Sequence, residues 1–219
     1  MTFSFDLIIE FLPVFARGAL VTLAATVVGF VFALIVGAVL LALMRTPWGI
    51  VRVPSTFFME FIRSTPLLVQ VYFLFFVLPN VGISMPAFLT GVIALGLHHG
   101  AYVSETYRAA LAAVPKGQWD AAASLNYSRP KAYRHLILPQ AVPIVIPALG
   151  NTLITMIKDT PILSAITVTE LMFVANDIGT QRFQYTEPIT FAAVIYLVMS
   201  LAAAFAVSWL DRSIRDART

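Results

Sequence analysis

An all-α integral membrane protein with five membrane-spanning helices is the fold class this chain predicts, on three observations. Hydrophobic residues fill 59% of its 219 positions and charged residues only 11%, against about 25% charged in a soluble domain. Its mean hydropathy is +0.87. The apolar residues come in runs near the ~20 residues needed to cross a hydrocarbon core, so the length holds five or six crossings and no separate soluble domain.

The first fifteen residues, MTFSFDLIIEFLPVF, carry Asp6 and Glu10, no basic leader and no small-residue cleavage site. They read as a short interfacial helix rather than a signal peptide. Residues 18–44 are uncharged and form the first span, closed by Arg45 and Arg52 around the Pro47-Trp48-Gly49 turn. A second span is expected over 57–78, with Glu60 and Arg63 near its start. The uncharged linker PNVGISMP, flanked by prolines, leads to a third span over 86–112.

A polar segment, 114–137, separates the third span from a fourth over 138–157. Pro139, Pro143 and Pro147 recur every four residues there, so a kinked helix buried among protein neighbours is expected. The segment Pro161–Ala175 is too short to span and suits a re-entrant or interfacial helix. A fifth span, 188–210, ends in the charged tail DRSIRDART.

Nine basic residues (Arg45, Arg52, Lys116, Arg129, Lys131, Arg134, Arg212, Arg215, Arg218) fall on one side of these spans and two, Arg17 and Arg182, on the other. Basic connections stay cytoplasmic. Segment 114–137 is therefore expected in the cytoplasm, with the N-terminus outside and the C-terminus inside.

Several functions are excluded early. No cysteine is present, so there is no thiolate chemistry and no disulfide. None of the 11 glycines belongs to a GxxxxGK[ST] loop, so ATP-driven work requires a partner. The net charge of +3 reflects basic residues at span ends and not a nucleic-acid surface. No triad of nucleophile, base and orienting group stands out.

Within the polar segment, KGQWDAAASL (116–125) predicts a short helix, favoured by three alanines and by Asp120 in its early turns. Asn126 follows where a left-handed C-terminal cap belongs, and Pro130 starts the return to the membrane. A solvated loop with a basic flank is the alternative. Against it stand the length of the connection, where helix bundles use about 2–8 residues, and the small face of Ala121, Ala122 and Ala123 beside Trp119 and Leu125.

This stretch resembles the EAA loop of integral membrane subunits of ABC importers, whose pattern is EAA, three residues, Gly, nine residues, Ile, any residue, Leu-Pro. Here Asp120-Ala121-Ala122 is followed by three residues, Asn126, nine residues, Leu136, Ile137 and Leu138-Pro139. The departures are Asp for Glu, Asn for Gly and Leu for Ile. The stretches MEFIRSTPLLVQ (59–70), GAYVSETYRAAL (100–111), VPKGQWDAA (114–122), LPQAVPIVIPALGN (138–151) and IKDTPILSAI (157–166) look like the polar amino-acid uptake branch. The resemblance covers roughly residues 18–210.

It implies a type I ABC importer permease fold, with a coupling helix between the third and fourth spans resting in a groove of the ATPase. Gly117, Trp119, Asp120, Ala121, Ala122, Leu125 and Asn126 would make that contact. The implied partners are a cytoplasmic ATPase dimer, which uses the ATP, a second permease subunit, an external solute-binding protein and the lipid bilayer. No cofactor is expected on this chain. A polar amino acid or amino-acid-like solute, with ectoine or hydroxyectoine among the candidates, is the implied substrate class. The alternatives are an ATP-independent solute channel or a membrane enzyme.

Charges inside spans are costly and face partners or water-filled paths. Glu60/Arg63 and Glu105/Arg108 are spaced i, i+3, so each reads as an ion pair on one helix face. Lys158 and Asp159, beside a proline-broken segment, are either a mutual salt bridge or, with Glu60, part of a substrate path. His98 and His99 point about 100° apart on a helix and suit a metal poorly. Gly96 and Gly100 beside them suggest close helix packing instead. His135, among basic residues, reads as solvated.

Overall fold

The computed structural model describes residues 5–216, with side chains from residue 8 to residue 213. Residues 1–4 of the expected interfacial helix, Arg218 and the side chains of Asp6 and Arg215 lie outside the described residues. Every element among the described residues is helical, and the α-helices are α1 (Phe5–Met44), α2 (Gly49–Ser64), α3 (Leu67–Tyr72), α4 (Ala87–Ala112), α5 (Lys116–Ser124), α6 (Arg129–Ala132), α7 (Leu138–Asp159), α8 (Leu171–Arg182) and α9 (Thr186–Asp216). Four stretches are long and apolar enough to cross a membrane, and α2 with residues 67–81 makes a fifth if that bent pair is one span.

The first correction to the sequence reading is at the N-terminus. Among the described residues no separate interfacial helix precedes the first span: α1 runs unbroken for 40 residues, with Pro13 inside it. Its apolar, membrane-compatible part, Ile8–Met44, would be roughly 55 Å long at 1.5 Å per residue, so its ends project past a ~30 Å core or it tilts. Leu20, Leu23, Val27, Val31, Ile35, Val39 and Leu43 make an exposed stripe at three- and four-residue spacing along it. On a helix long and apolar enough to cross a membrane, such a stripe is surface for lipid or for a second apolar chain.

The opposite face of α1 packs in parallel against α4. Gly29 meets Leu95, Phe32 meets Gly96, Val36 meets Gly100 and Gly37 meets Val103, residue numbers rising together on both helices. A Cβ on Gly96 would lie 2.2 Å from the Phe32 ring, so the two backbones come this close only because Gly96 has no side chain. α4 is the interior helix, with Ala94, Leu95, Ala101 and Val103 fully buried.

The second expected span, 57–78, is not one straight helix. α2 and the segment after it meet at 108°, at Thr65-Pro66. Proline disfavours helical geometry at the residue before it and cannot bond the carbonyl four residues back. Thr65 is extended, and Gln70 Nε2 donates to Ile62 O at 2.7 Å and to Thr65 O at 3.1 Å, satisfying the carbonyls the break releases.

Proline also explains two π-helical turns. Residues 73–77 and 133–137 each precede a Leu-Pro, and in each the leucine N–H bonds five residues back, Leu78 to Phe73 O and Leu138 to Tyr133 O. The proline ring crowds the carbonyl four residues earlier, so the helix widens by one residue. α7 continues through Pro143 and Pro147. The expected single segment Pro161–Ala175 is instead two pieces, a 3₁₀ helix (Thr160–Ile166) and α8, divided at Thr167, which is left-handed with φ 66°.

Candidate functional site

The polar segment folds as a short helix with a defined stop. α5 ends at Ser124, one residue before the expected Leu125. Asn126 is left-handed at φ 52°, its N–H bonds Ala123 O at 2.9 Å, and Tyr127 N–H bonds Ala122 O at 3.0 Å. These two bonds make a Schellman cap, in which Asn tolerates the left-handed position second only to Gly. Chain direction after α5 is therefore fixed by hydrogen bonds, and α6 opens with Pro130 at its second residue.

α5 is tied to the chain through Trp119 and Gln118. Leu111, Val114, Ile137 and Ala141 form a buried cluster from the ends of α4 and α7, against which Leu41, Trp119, Tyr133 and Leu136 pack. Trp119 and Tyr133 meet edge to face with centroids 5.3 Å apart, and Gln140 Nε2 donates to Gln118 Oε1 at 3.2 Å. The direct links of α5 are thus to the start of the fourth span, through Tyr133 and Gln140.

The predicted coupling residues divide between two faces. Ala122 is 3% exposed and Trp119 is half-buried, so both face the chain. Gly117, Asp120, Ala121, Leu125 and Asn126 include the outward-facing positions, and nothing lies within 4 Å of where a Cβ on Gly117 would stand. The outward surface is therefore narrower than the three-alanine face read from sequence. Ala122 sets how α5 sits on the spans.

The polar residues of the spans join into one strip. Arg63 Nη1 lies 3.6 Å from Glu60 Oε1, and the Arg63 guanidinium stands 5.3 Å over the Tyr102 ring. His98 is 5.3 Å from Tyr102 and 5.3 Å from His99, while His98 Nδ1 approaches Gln70 Oε1 at 3.3 Å. His99 Nε2 is 3.0 Å from Asp159 Oδ2. Asp159 thus pairs with His99, where the sequence offered Lys158; Lys158 is exposed beside it. Glu60 and Asp159 connect only through this relay of α2 and α4 side chains. Glu105 and Arg108 form the expected pair, Nε to Oε1 3.0 Å.

Sequence reasoning missed His99 because it weighed the histidine pair only for metal geometry. It also missed a buried knot at the start of α8. Glu170, fully buried, accepts from Met172 N at 2.9 Å and Phe173 N at 2.7 Å, capping α8, while the Tyr196 hydroxyl of α9 donates to it. Thr22 of α1 accepts from Leu171 N at 3.1 Å. Burial pushes the Glu170 carboxyl above the usual range, against the opposing pull of those hydrogen bonds. Residues of α1, α8 and α9 meet there, and no local pattern announces such a junction. Arg182 and Glu10 pair at the same end of the bundle.

A bundle of helices long and apolar enough to cross a membrane, with a short capped helix set between two of them, defines a helical membrane protein. The chain belongs to the binding-protein-dependent transport system inner membrane components, whose family model matches residues 29–216. It is 45% identical to a probable amino-acid ABC transporter permease of Sinorhizobium fredii, over 93% of this chain and 88% of that one. An L-cystine transport system permease of Bacillus subtilis is 34% identical, over 93% and 90%. Among solved structures, an amino acid ABC transporter crystallised with histidines superposes with a TM-score of 0.92 at 34% identity, covering 97% of this chain and all of that one. The inward-facing MetNI methionine transporter, at 21% identity and TM-score 0.79 over 94% and 98%, shares the fold.

Proposed function

We propose that the chain is the membrane-spanning permease subunit of an ATP-driven importer for a polar amino acid or an amino-acid-like solute. The observation that carries this is α5: a capped helix, tied through Trp119 and Gln118 to Tyr133 and Gln140 at the start of the fourth span, with an outward face of Gly117, Ala121 and Leu125. A helix held this rigidly transmits displacement, which is what a nucleotide-biased two-state transporter requires. The relatives named for amino acids and for cystine support the substrate class. Ectoine and hydroxyectoine fall in the same class of small zwitterions.

In this reading a cytoplasmic ATPase dimer supplies the ATP chemistry, a second permease subunit completes the path and an external binding protein delivers the solute. Segment 114–137 is cytoplasmic, the N-terminus outside and the C-terminus inside. Parallel packing of α1 and α4 supports five spans, because residues 49–81 must carry the chain back across between them. The strip from Glu60 to Asp159, with exposed Lys158 beside it, offers both signs of charge to a zwitterion and forms one side of the path. The test is purification from native membranes: an ATPase copurifies with the chain and is lost from Leu125→Asp, while an ATPase-free preparation of the unaltered chain that still catalyses uptake contradicts the reading.

A further inference from the structure

A groove of 850 Å³ opens on the inner side of α5, on the face opposite the one left for the ATPase. Its walls are Leu41 and Ala42 of α1, Leu111 of α4, Ala122 of α5 and Ala141 and Val145 of α7. Among the described residues, its only charged lining is Arg45 and Arg129, both exposed, and no acidic residue lines it. A smaller recess of 380 Å³ shares Arg45 and adds Arg108 and Lys116. Three of these walls are the ends of spans: the last turns of α1 and α4 and the first turns of α7. The groove therefore lies where hydrocarbon gives way to headgroups.

We infer that this groove is a binding site for one anionic phospholipid of the leaflet that faces α5. Groove and lipid are complementary at both ends of the molecule. Two guanidinium groups at the rim match a phosphate diester, which arginine engages bidentately. The walls are mostly apolar, alanine, leucine and valine together with the rings of Trp119, Tyr107, Tyr127 and Tyr133, and suit an acyl chain; Ala42 adjoins Val39 and Leu43 of the exposed stripe on α1, so a chain seated there continues out of the groove along that stripe. A soluble anion would use the rim and leave an apolar slot of this size wet. A protein ligand is better served by the outward face of α5.

The bound lipid would fill the space between Ala122 and Ala123 on one side and α1 and α7 on the other, stiffening the seat of α5. The site is independent of what is transported, so it stands or falls apart from the proposed substrate class.

Native mass spectrometry of the purified full-length chain, titrated with phosphatidylglycerol or with phosphatidylcholine of the same acyl chains, reads the site directly. The unaltered chain is expected to retain one phosphatidylglycerol in preference to phosphatidylcholine. Arg45→Gln with Arg129→Gln is expected to weaken that retention roughly 30-fold, two basic contacts each being worth about fivefold. Ala42→Phe, which fills the slot at an exposed position, is expected to weaken retention of both lipids. Equal retention of the two lipids by the unaltered chain, or undiminished phosphatidylglycerol retention by the arginine variant and by Ala42→Phe, overturns the inference. So does displacement of the lipid by a stoichiometric ATPase partner, which would make the groove a protein interface.

Discussion

His99 Nε2 stands 3.0 Å from Asp159 Oδ2, joining the middle of α4 to the last residue of α7. A carboxylate only accepts, so the imidazole donates. His99 is 6% exposed at its side chain and Asp159 31%, so one partner is sealed in the bundle and the other opens to the strip. The pair fixes an accessible charge by means of a buried side chain.

His99→Leu is therefore expected to leave Asp159 without its donor, lowering the midpoint of thermal unfolding in detergent and raising the KM for uptake. A hydrogen bond to a charged group contributes about 1.5–3 kcal/mol, and the partial exposure of Asp159 places this one at the low end. His99→Asn, which keeps a donor, should recover part of the stability. If His99→Leu changes neither midpoint nor KM, the pair does no positioning.

Glu170 makes a pH prediction. Its carboxyl is raised in the folded chain, so over the carboxylate range the folded state holds a proton that the unfolded state has released. Stability from this group is full below the unfolded pKa and falls as pH rises through the folded value. Glu170→Gln keeps an acceptor for one of the Met172 and Phe173 N–H groups and should flatten that fall, whereas Glu170→Leu removes a helix cap worth about 0.5–2 kcal/mol and strands the Tyr196 hydroxyl. Unfolding midpoints of the three chains between about pH 5 and pH 8 read the difference; parallel profiles for the unaltered chain and for Glu170→Gln contradict the assignment.

Gly96→Ala is expected to be costly out of proportion to one methyl group, since the added carbon would stand 2.2 Å from the Phe32 ring and α1 and α4 would have to part. Overpacking of this kind costs about 1–3 kcal/mol. Gly49→Ala, with nothing within 4 Å, is the control and should leave the unfolding midpoint unchanged. Similar midpoints for both variants would mean the helices separate easily.

The parts of this architecture legible in the sequence are those written locally. α5 and its stop could be read because three alanines, an asparagine and a proline act on their own neighbours, and Asn126 is left-handed as its position predicts. Span existence followed from the length of apolar runs. The break at Thr65-Pro66 was not anticipated, although a residue before proline signals it; the apolar run on both sides hid the turn, and the Gln70 side chain that satisfies it lies eight residues from Ile62. The His99–Asp159 pair and the Glu170–Tyr196 bond join residues 60 and 26 positions apart. Only the packing of helices brings them together.

Asn126 tests the link between turn and coupling. Asn126→Gly fits φ 52° freely, while Asn126→Val must adopt a left-handed conformation that costs about 1–2 kcal/mol for a residue with Cβ, and more when it is β-branched. The glycine variant is expected to keep uptake and its coupled ATP hydrolysis. The valine variant is expected to hydrolyse ATP with little uptake; equal coupling in both would remove Asn126 from the mechanism.

Under the proposed function, ATP bound by a partner ATPase moves this chain through α5. Uptake of radiolabelled amino acid into proteoliposomes holding the permease, its ATPase and its binding protein, with ATP present or absent on the ATPase side, tests it most directly. The account predicts accumulation only with ATP, abolished by Leu125→Asp on the outward face of α5. Uptake that persists without ATP, or that survives Leu125→Asp unchanged, would contradict it.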